Sequence, residues 1–361
     1  MNKKKLDRFK EFINSIAKDD VVAVLHHTDP DGICSGVIMA KLVEKKRGKK
    51  ADLRINQGSN DIAIQDSTVE KLRQIKASKV IITDLCVDQI PDNVLEIEKF
   101  AEILIIDHHK IYNDLESKKT IFIKPQLVSE KNPASYPATK LCFDLASEIE
   151  DMSDLDWVAA IGVIGDCAFN SWKDFLDSVF SKYKIEKKQD LFETSIGKSA
   201  TLMSDAECVS KAKAAESFEV VYNAKSPDDV LNSSLKKYQE AVESERQYWL
   251  GHLEEFAEQD ENFIFYLIKP KYEIKSSIST ILSLEHPHKT IILVQDINDG
   301  NLYISARRRD EKVAANELLE NCIKGLENAT AGGHVPAAGG TIRKEDLSKF
   351  KKNLFNELKN K

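Results

Sequence analysis

Val21-Val22-Ala23-Val24-Leu25-His26-His27-Thr28-Asp29-Pro30-Asp31-Gly32 passes from an apolar, β-branched run directly into histidines and aspartates. The transition recurs: Lys79-Val80-Ile81-Ile82-Thr83 ends on Asp84, and Glu102-Ile103-Leu104-Ile105-Ile106 ends on Asp107-His108-His109. A fourth strand-like run, the apolar segment 157–165, ends on Asp166. Short β-branched runs that stop at polar residues read as buried strands. In His27-x-Asp29-x-Asp31 the ligand-type residues alternate. In an extended chain that sends all three toward one volume, and Gly32 then permits a sharp turn into a helix.

Outward from these runs, strand-like segments at 21–27, 51–56, 79–84, 102–107 and 120–124 alternate with helix-like segments at Ile33–Lys46, Val69–Ala77, Pro91–Phe100 and Pro137–Glu148. The alternation predicts an α/β fold, an N-terminal parallel sheet with helices on both faces. Ligands of such sheets bind beyond the carboxyl ends of the strands, so the acids at 29, 31, 84 and 107 and the histidines at 27, 108 and 109 can converge. Residues 171–260 lose the β-branched runs and read as helices. Ser226-Pro227-Asp228-Asp229 has the form of a helix start, and one linker helix carrying Val230 through Phe256 is expected from it. Strands return at 263–269, 290–296 and 302–308, with the hairpin signal Asn298-Asp299-Gly300-Asn301 between the last two. Helices are expected from about Glu311 to Lys324 and from about Lys344 onward. The expected organisation is a catalytic domain at 1–170, a helical linker or insertion at 171–260, and a smaller C-terminal α/β domain at 261–361.

The 361 residues carry 52 Lys and Arg against 59 Asp and Glu, a net charge of −7. That balance argues against the broad basic face of a protein that tracks long nucleic acid, although Lys271, Lys275, Arg307-Arg308-Arg309 and Arg343 give the last quarter local basicity. No apolar stretch approaches the roughly 20 residues of a membrane span. The basic start is followed by Leu6, Phe9, Ile13 and Ile16 at helical spacing rather than by an apolar leader. A cytoplasmic protein with no membrane partner is expected. Six cysteines without a C-x-x-C pair suit neither a zinc knuckle nor a disulfide framework; Cys34, Cys86 and Cys167, close to the acidic clusters, read as buried thiols.

Oxygen and imidazole ligands suit manganese or magnesium better than structural zinc. Carboxylates crowded round one cavity raise each other's pKa unless cations neutralise them. Two cations about 3.5–4 Å apart would do so and would clamp an in-line displacement at phosphorus. Phosphoester hydrolysis is the matching reaction class, and it needs no serine or cysteine nucleophile. A single acid in a β-to-α loop, Asp31 for example, also fits a helix N-cap; five acids and three histidines at successive strand ends do not. His334, inside Gly332-Gly333-His334-Val335-Pro336-Ala337-Ala338-Gly339-Gly340, fits either an anion contact or the turn of a tightly packed segment.

These motifs resemble the DHH phosphoesterase superfamily, whose signature stands here as Asp107-His108-His109. Gly332-Gly333-His334 with Ala337-Ala338-Gly339 is similar to the signature of the DHH-associated C-terminal domain, so the resemblance covers nearly the whole chain. RecJ-like exonucleases and nanoRNases are the members it resembles most. The resemblance implies two Mn2+ ions, or Mg2+ in their place. His27, Asp29 and Asp84 would hold one, and Asp31, Asp84, His108 and Asp166 the other, with Asp84 bridging. It further implies that His109 contacts the scissile phosphate and that Asp107 orients the neighbouring histidine. Arg307 of Ser305-Ala306-Arg307, with Gly332, Gly333 and His334, would grip the terminal phosphate or nucleotide.

The implied activity is manganese-dependent hydrolysis of phosphodiester bonds in single-stranded DNA or RNA, or in short oligonucleotides. One alternative is a phosphodiesterase for small nucleotides, such as cyclic di-AMP, a linear dinucleotide or 3′-phosphoadenosine 5′-phosphate. Another, of a different class, is an inactive replisome scaffold. Bacterial RecJ carries an OB-fold domain with no counterpart up to residue 361. With the negative net charge, this leads us to expect a short substrate, or a replication or repair protein that supplies the grip.

Overall fold

The structure, a computed structural model, describes residues 2–57 and 62–359. It divides into two compact units, Met1–Gln239 and Glu240–Lys361. In the first, β1 (Val22–His26), β2 (Leu53–Asn56), β3 (Lys79–Thr83), β4 (Glu102–Ile106) and β5 (Thr120–Ile123) form an all-parallel sheet of order β2-β1-β3-β4-β5. The strand order reverses between β1 and β3, and the cleft beyond such a switch point is where these sheets bind ligands.

The strands are apolar without alternation because both faces are covered. Val22 and Val24 of β1, Ile81 of β3 and Leu104 of β4 enter one core, while Ala23, Leu25, Val80, Ile82, Ile103 and Ile105 enter the other. The first core is roofed by α1 (Lys3–Asn14) and α2 (Pro30–Arg47), the second by α3 (Asp66–Gln74) and α4 (Asp92–Glu98). The short α5 (Pro125–Val128) follows β5, and then come α6 (Ala138–Ser147), α7 (Asp156–Gly165), α8 (Lys173–Tyr183), α9 (Ser195–Val209), α10 (Ala214–Asn223) and α11 (Pro227–Leu231). Leu176, Phe180, Ile196, Met203, Phe218 and Val230 of this helical stretch join the same core as α2. Residues 171–239 are thus built into the first unit by their apolar faces.

Three local expectations are corrected. Residues 157–165 form α7, not a strand. Every residue from Trp157 to Ile164 is buried, so the pattern carries no period that distinguishes helix from strand. β1 stops at His26 and α2 begins at Pro30, so the extended alternation expected through Asp31 is absent. The expected single linker helix is broken. α11 ends at Leu231, the Asn232 side chain donates back to the Asp228 carbonyl at 2.9 Å, and Ser233 Oγ accepts from Leu235 N–H at 3.2 Å. Such side-chain bonds compete with helix continuation. The helix resumes as α12 (Lys236–Gly251) and α13 (Leu253–Phe256).

The second unit contains β6 (Glu258–Gln259), β7 (Phe263–Ile268), α14 (Lys275–Glu285), β8 (Thr290–Asp296), β9 (Asn301–Arg307), α15 (Ala315–Cys322), β10 (Thr330–Gly333), β11 (Ala337–Arg343) and α16 (Leu347–Lys359). Its sheet order is β10-β11-β9-β8-β7-β6, with only β7 and β8 parallel. Phe265, Ile292, Ile304, Leu318, Phe350 and Leu354 fill its core. The expected hairpin forms between β8 and β9, and Asn298 (φ 61) and Gly300 (φ 92) take the left-handed conformations that tight turn requires. Among the described residues no helix is long and apolar enough to cross a membrane.

Candidate metal centre

His27, Asp84 and Asp107 follow the carboxyl ends of β1, β3 and β4, three neighbouring strands. Asp29 caps α2, its Oδ1 accepting from Gly32 N–H at 2.8 Å. Asp31 lies in the first turn of α2 and is 1% exposed. Its carboxylate accepts from Ala138 N–H at 2.7 Å and Thr139 N–H at 2.9 Å, which are the first two amides of α6. Those bonds satisfy two otherwise orphaned donors and fix the carboxylate in place. Asp166 caps the carboxyl end of α7. Gly162 lets α7 approach: a methyl there would lie 2.7 Å from Thr139 Cβ and 2.8 Å from Asp31 Oδ1. Asp84 adopts a left-handed backbone (φ 55), with its N–H bonded to Ile106 O at 2.9 Å.

The side chains converge in two groups that share Asp84. His27 Nδ1 lies 3.1 Å from Asp29 Oδ1 and 3.7 Å from Asp84 Oδ2. His108 Nε2 lies 3.4 Å from Asp84 Oδ1, 3.5 Å from Asp166 Oδ2 and 3.8 Å from Asp31 Oδ2. The ligand-type atoms of His27, Asp29 and Asp84 all lie within 4.8 Å of one another, as do those of Asp31, Asp84 and His108. Neighbouring ligands of an octahedral ion at 2.0–2.1 Å are about 3 Å apart, close to these separations. Asp84 Oδ1 is buried with no hydrogen-bond partner among the described residues, a costly state for a carboxylate oxygen unless a cation meets it.

The electrostatics agree. Burial and the charge of Asp29 push Asp31 up to about 6. Burial, with Asp31 and Asp29, pushes Asp84 well above the carboxylate range. Burial also lowers His108 to about 3, helped by His109, so its imidazole is neutral, the form that binds a metal. Burial opposes the charge on His27, but Asp29 and Asp84 outweigh it and raise its pKa. Crowded carboxylates of this kind are what a divalent cation neutralises. His26 is different. It is buried in β1, stacks on Phe218 at 4.9 Å, and is pushed down to about 4 by burial, so it is a neutral packing residue.

His109 Nδ1 lies 2.7 Å from Asp107 Oδ1. Behind them stands a group that sequence reasoning missed. Lys124 and Asp88 are both 0% exposed; Lys124 Nζ lies 2.8 Å from Asp107 Oδ2 and 2.8 Å from Asp88 Oδ1, and donates to Lys110 O at 2.9 Å. Burial alone would raise Asp107, but Lys124 and His109 hold it well below the ordinary carboxylate range. A signal was present: Lys124 directly follows the buried run of β5, the position that Asp84 and Asp107 hold after β3 and β4.

In the second unit, β10 and β11 form a hairpin closed by His334 N–H to Ala337 O at 2.7 Å. Gly333 (φ 135) is required there, since a methyl would meet Ala337 O at 2.6 Å. Ala337 pairs with Arg307 across β11 and β9, so Gly332, Gly333, His334 and Arg307 share one end of this sheet. Arg307 Nε donates to Ser279 Oγ at 3.1 Å, and Ser279 Oγ lies 2.8 Å from Ser305 Oγ.

The DHH family N-terminal domain matches residues 21–162, and the DHHA1 domain matches residues 264–360. The chain belongs to the DHH family. RecJ from Thermus thermophilus, solved with Mn2+, is similar in fold, with TM-score 0.70 at 13% identity, covering 99% of this chain and 54% of its own. This chain therefore spans about half the length of that relative. A DHH domain named as a member of the s1p family of ribosomal proteins gives TM-score 0.71 at 14% identity, covering 98% and 89%. An exopolyphosphatase-related protein from Bacteroides fragilis gives 0.54 at 15%, covering 98% and 96%. At these identities the likeness is one of fold. No curated protein matches the sequence.

Proposed function

We propose that this DHH-family chain is a metal-dependent phosphoesterase that hydrolyses phosphodiester bonds of single-stranded nucleic acid, short oligonucleotides foremost, in the manner of a RecJ-like exonuclease. The observation that carries the reading is the Asp84 carboxylate, whose two oxygens face His27 and His108 in separate groups. His27, Asp29 and Asp84 would hold one Mn2+, and Asp31, Asp84, His108 and Asp166 the other, with Mg2+ as the substitute. When bound, the pair supplies Lewis-acid stabilisation of charge at phosphorus and lowers the pKa of the attacking water.

The protein's own groups do the rest. Neutral His108 offers a lone pair, and Asp31 is held by two α6 amides. With Nδ1–H turned to Asp107, His109 can carry a second proton on Nε2 and donate it to a phosphoryl or leaving oxygen. Arg307, Gly332, Gly333 and His334 would take a terminal phosphate, a guanidinium and glycine amides being suited to that anion. A replication or repair protein would supply the grip on longer strands that a net charge of −7 disfavours.

The test is digestion of end-labelled single strands of graded length with Mn2+, comparing wild type with Asp84→Asn. Terminal nucleotides should be released by the first and not the second. Activity confined to dinucleotides would replace the exonuclease reading, and hydrolysis unchanged in the variant would sink the two-metal site.

A further inference from the structure

Lys124 is an ammonium with no exposed surface in a protein whose other lysines are mostly at the solvent edge. A buried charge is retained at a cost unless it is paired and hydrogen-bonded. Here two protons have hydrogen-bond acceptors, Asp88 Oδ1 at 2.8 Å and Lys110 O at 2.9 Å, and Asp107 Oδ2 stands in ion-pair contact at 2.8 Å. Asp88 is itself fixed, its Oδ2 accepting from Tyr112 N–H at 2.7 Å and Asn113 N–H at 3.3 Å. The Asp107 carboxylate is thus held at both ends, one oxygen on Lys124 and the other on His109 Nδ1 at 2.7 Å.

The array runs Asp88–Lys124–Asp107–His109, from a loop anchored by backbone amides to the edge of the candidate site. We infer that Lys124 is a positioning residue for the proposed hydrolysis: it fixes the plane of the Asp107 carboxylate, which in turn fixes the direction and protonated nitrogen of His109. This rests on the proposed phosphoesterase reading for its consequence in catalysis, but not for its structural content. Cys86, Asp88 and Asp107 also bring metal-type ligand atoms together, yet Lys124 already occupies the space between the two carboxylates, so this group is read as an ion-paired support.

The experiment is long-range nitrogen–proton correlation of the histidine side chains in the metal-free full chain, with kinetics on the Mn2+-loaded protein. Wild-type His109 should carry its proton on Nδ1; a neutral ring protonated only on Nε2 would overturn the inference before any substitution is made. Lys124→Met with Asp88→Asn removes the ammonium while keeping the net charge of the buried trio unchanged. That variant should show His109 in mixed tautomers and a kcat at least about tenfold lower, with KM and Mn2+ affinity within about twofold. Lys124→Gln, which keeps a donor on a shorter stem, is the second variant should the double substitution fail to fold. It should show the same tautomer mixture. A folded variant of either kind with the wild-type tautomer and kcat refutes the role. Wild-type hydrolysis absent on every substrate, with the tautomer shift intact, would refute the phosphoesterase reading and leave the array standing.

Discussion

Replacing Gly32 by alanine probes how tightly the fold and the candidate metal centre are coupled. Gly32 lies in the first turn of α2, and a methyl there would sit 2.7 Å from His27 Cα and 2.8 Å from its carbonyl carbon. Ordinary contact begins at 3.4 Å, and the atoms in the way are the His27 backbone and, closer still, its Cβ, none of which can swing aside, so the strand end and the helix must separate by at least roughly 0.7 Å. Overpacking of this kind costs about 1–3 kcal/mol, and alanine returns at most about 1 kcal/mol in helix propensity. The net expectation is a loss of about 1–2 kcal/mol, or a fall in Tm of about 2–8 °C for a unit of this size. The displacement also carries His27 away from Asp29 and Asp84. Because a 1 Å misplacement at a reacting site costs about a hundredfold, hydrolysis should fall about tenfold or more, with weaker Mn2+ binding. Thermal melts of the metal-free protein and calorimetric Mn2+ titration check both halves. A Gly32→Ala variant with wild-type stability and wild-type Mn2+ affinity would refute the reasoning.

Two further outcomes follow from charges elsewhere. Burial would raise Asp52, but Lys49, the Val22 amide and Arg47 bring it down to about 2. A depressed carboxylate contributes stability above its unfolded pKa, near 4, and loses it as pH falls through the folded value. Wild type should lose about 1–2 kcal/mol more than Asp52→Asn between pH 4 and pH 2, and equal slopes in urea melts would contradict this. Arg307→Ala should raise KM for 5′- or 3′-phosphorylated oligonucleotides about tenfold or more while changing kcat little, as expected on removing a charge-assisted contact made equally in ground and transition states; a pure kcat effect would argue against a binding role.

Much of the fold and of the site was legible because the first unit writes both in one pattern. Runs buried on two faces stop at charged residues at the same sheet edge, so Asp84, Asp107 and His108 announced strand ends and ligand candidates together. The residues that escaped lack that coincidence. Asp166 was placed after a strand because Trp157 to Ile164 are buried on every side and show no period; what makes them a helix is tertiary, the close approach of Gly162 to Thr139 and Asp31. Lys124 escaped because a lysine after an apolar run ordinarily marks the return to solvent, and only the pairing with Asp88 and Asp107 shows otherwise. The helices after residue 171 were recognisable as helices, but an apolar stripe does not name the surface it covers. Phe218 stacking on His26 and the Thr28 hydroxyl donating to Glu207 at 2.6 Å depend on contacts between distant parts of the chain.

The central claim is that one carboxylate, Asp84, serves two metal ions at once. Electron paramagnetic resonance of Mn2+-titrated protein tests it directly, because two ions bridged by a carboxylate are exchange-coupled and isolated ions are not. Wild type should take up two Mn2+ per chain and show the coupled spectrum, and Asp84→Asn should lose both the coupling and the hydrolysis. Uncoupled ions in wild type, or a coupled pair surviving in the variant, would contradict the account.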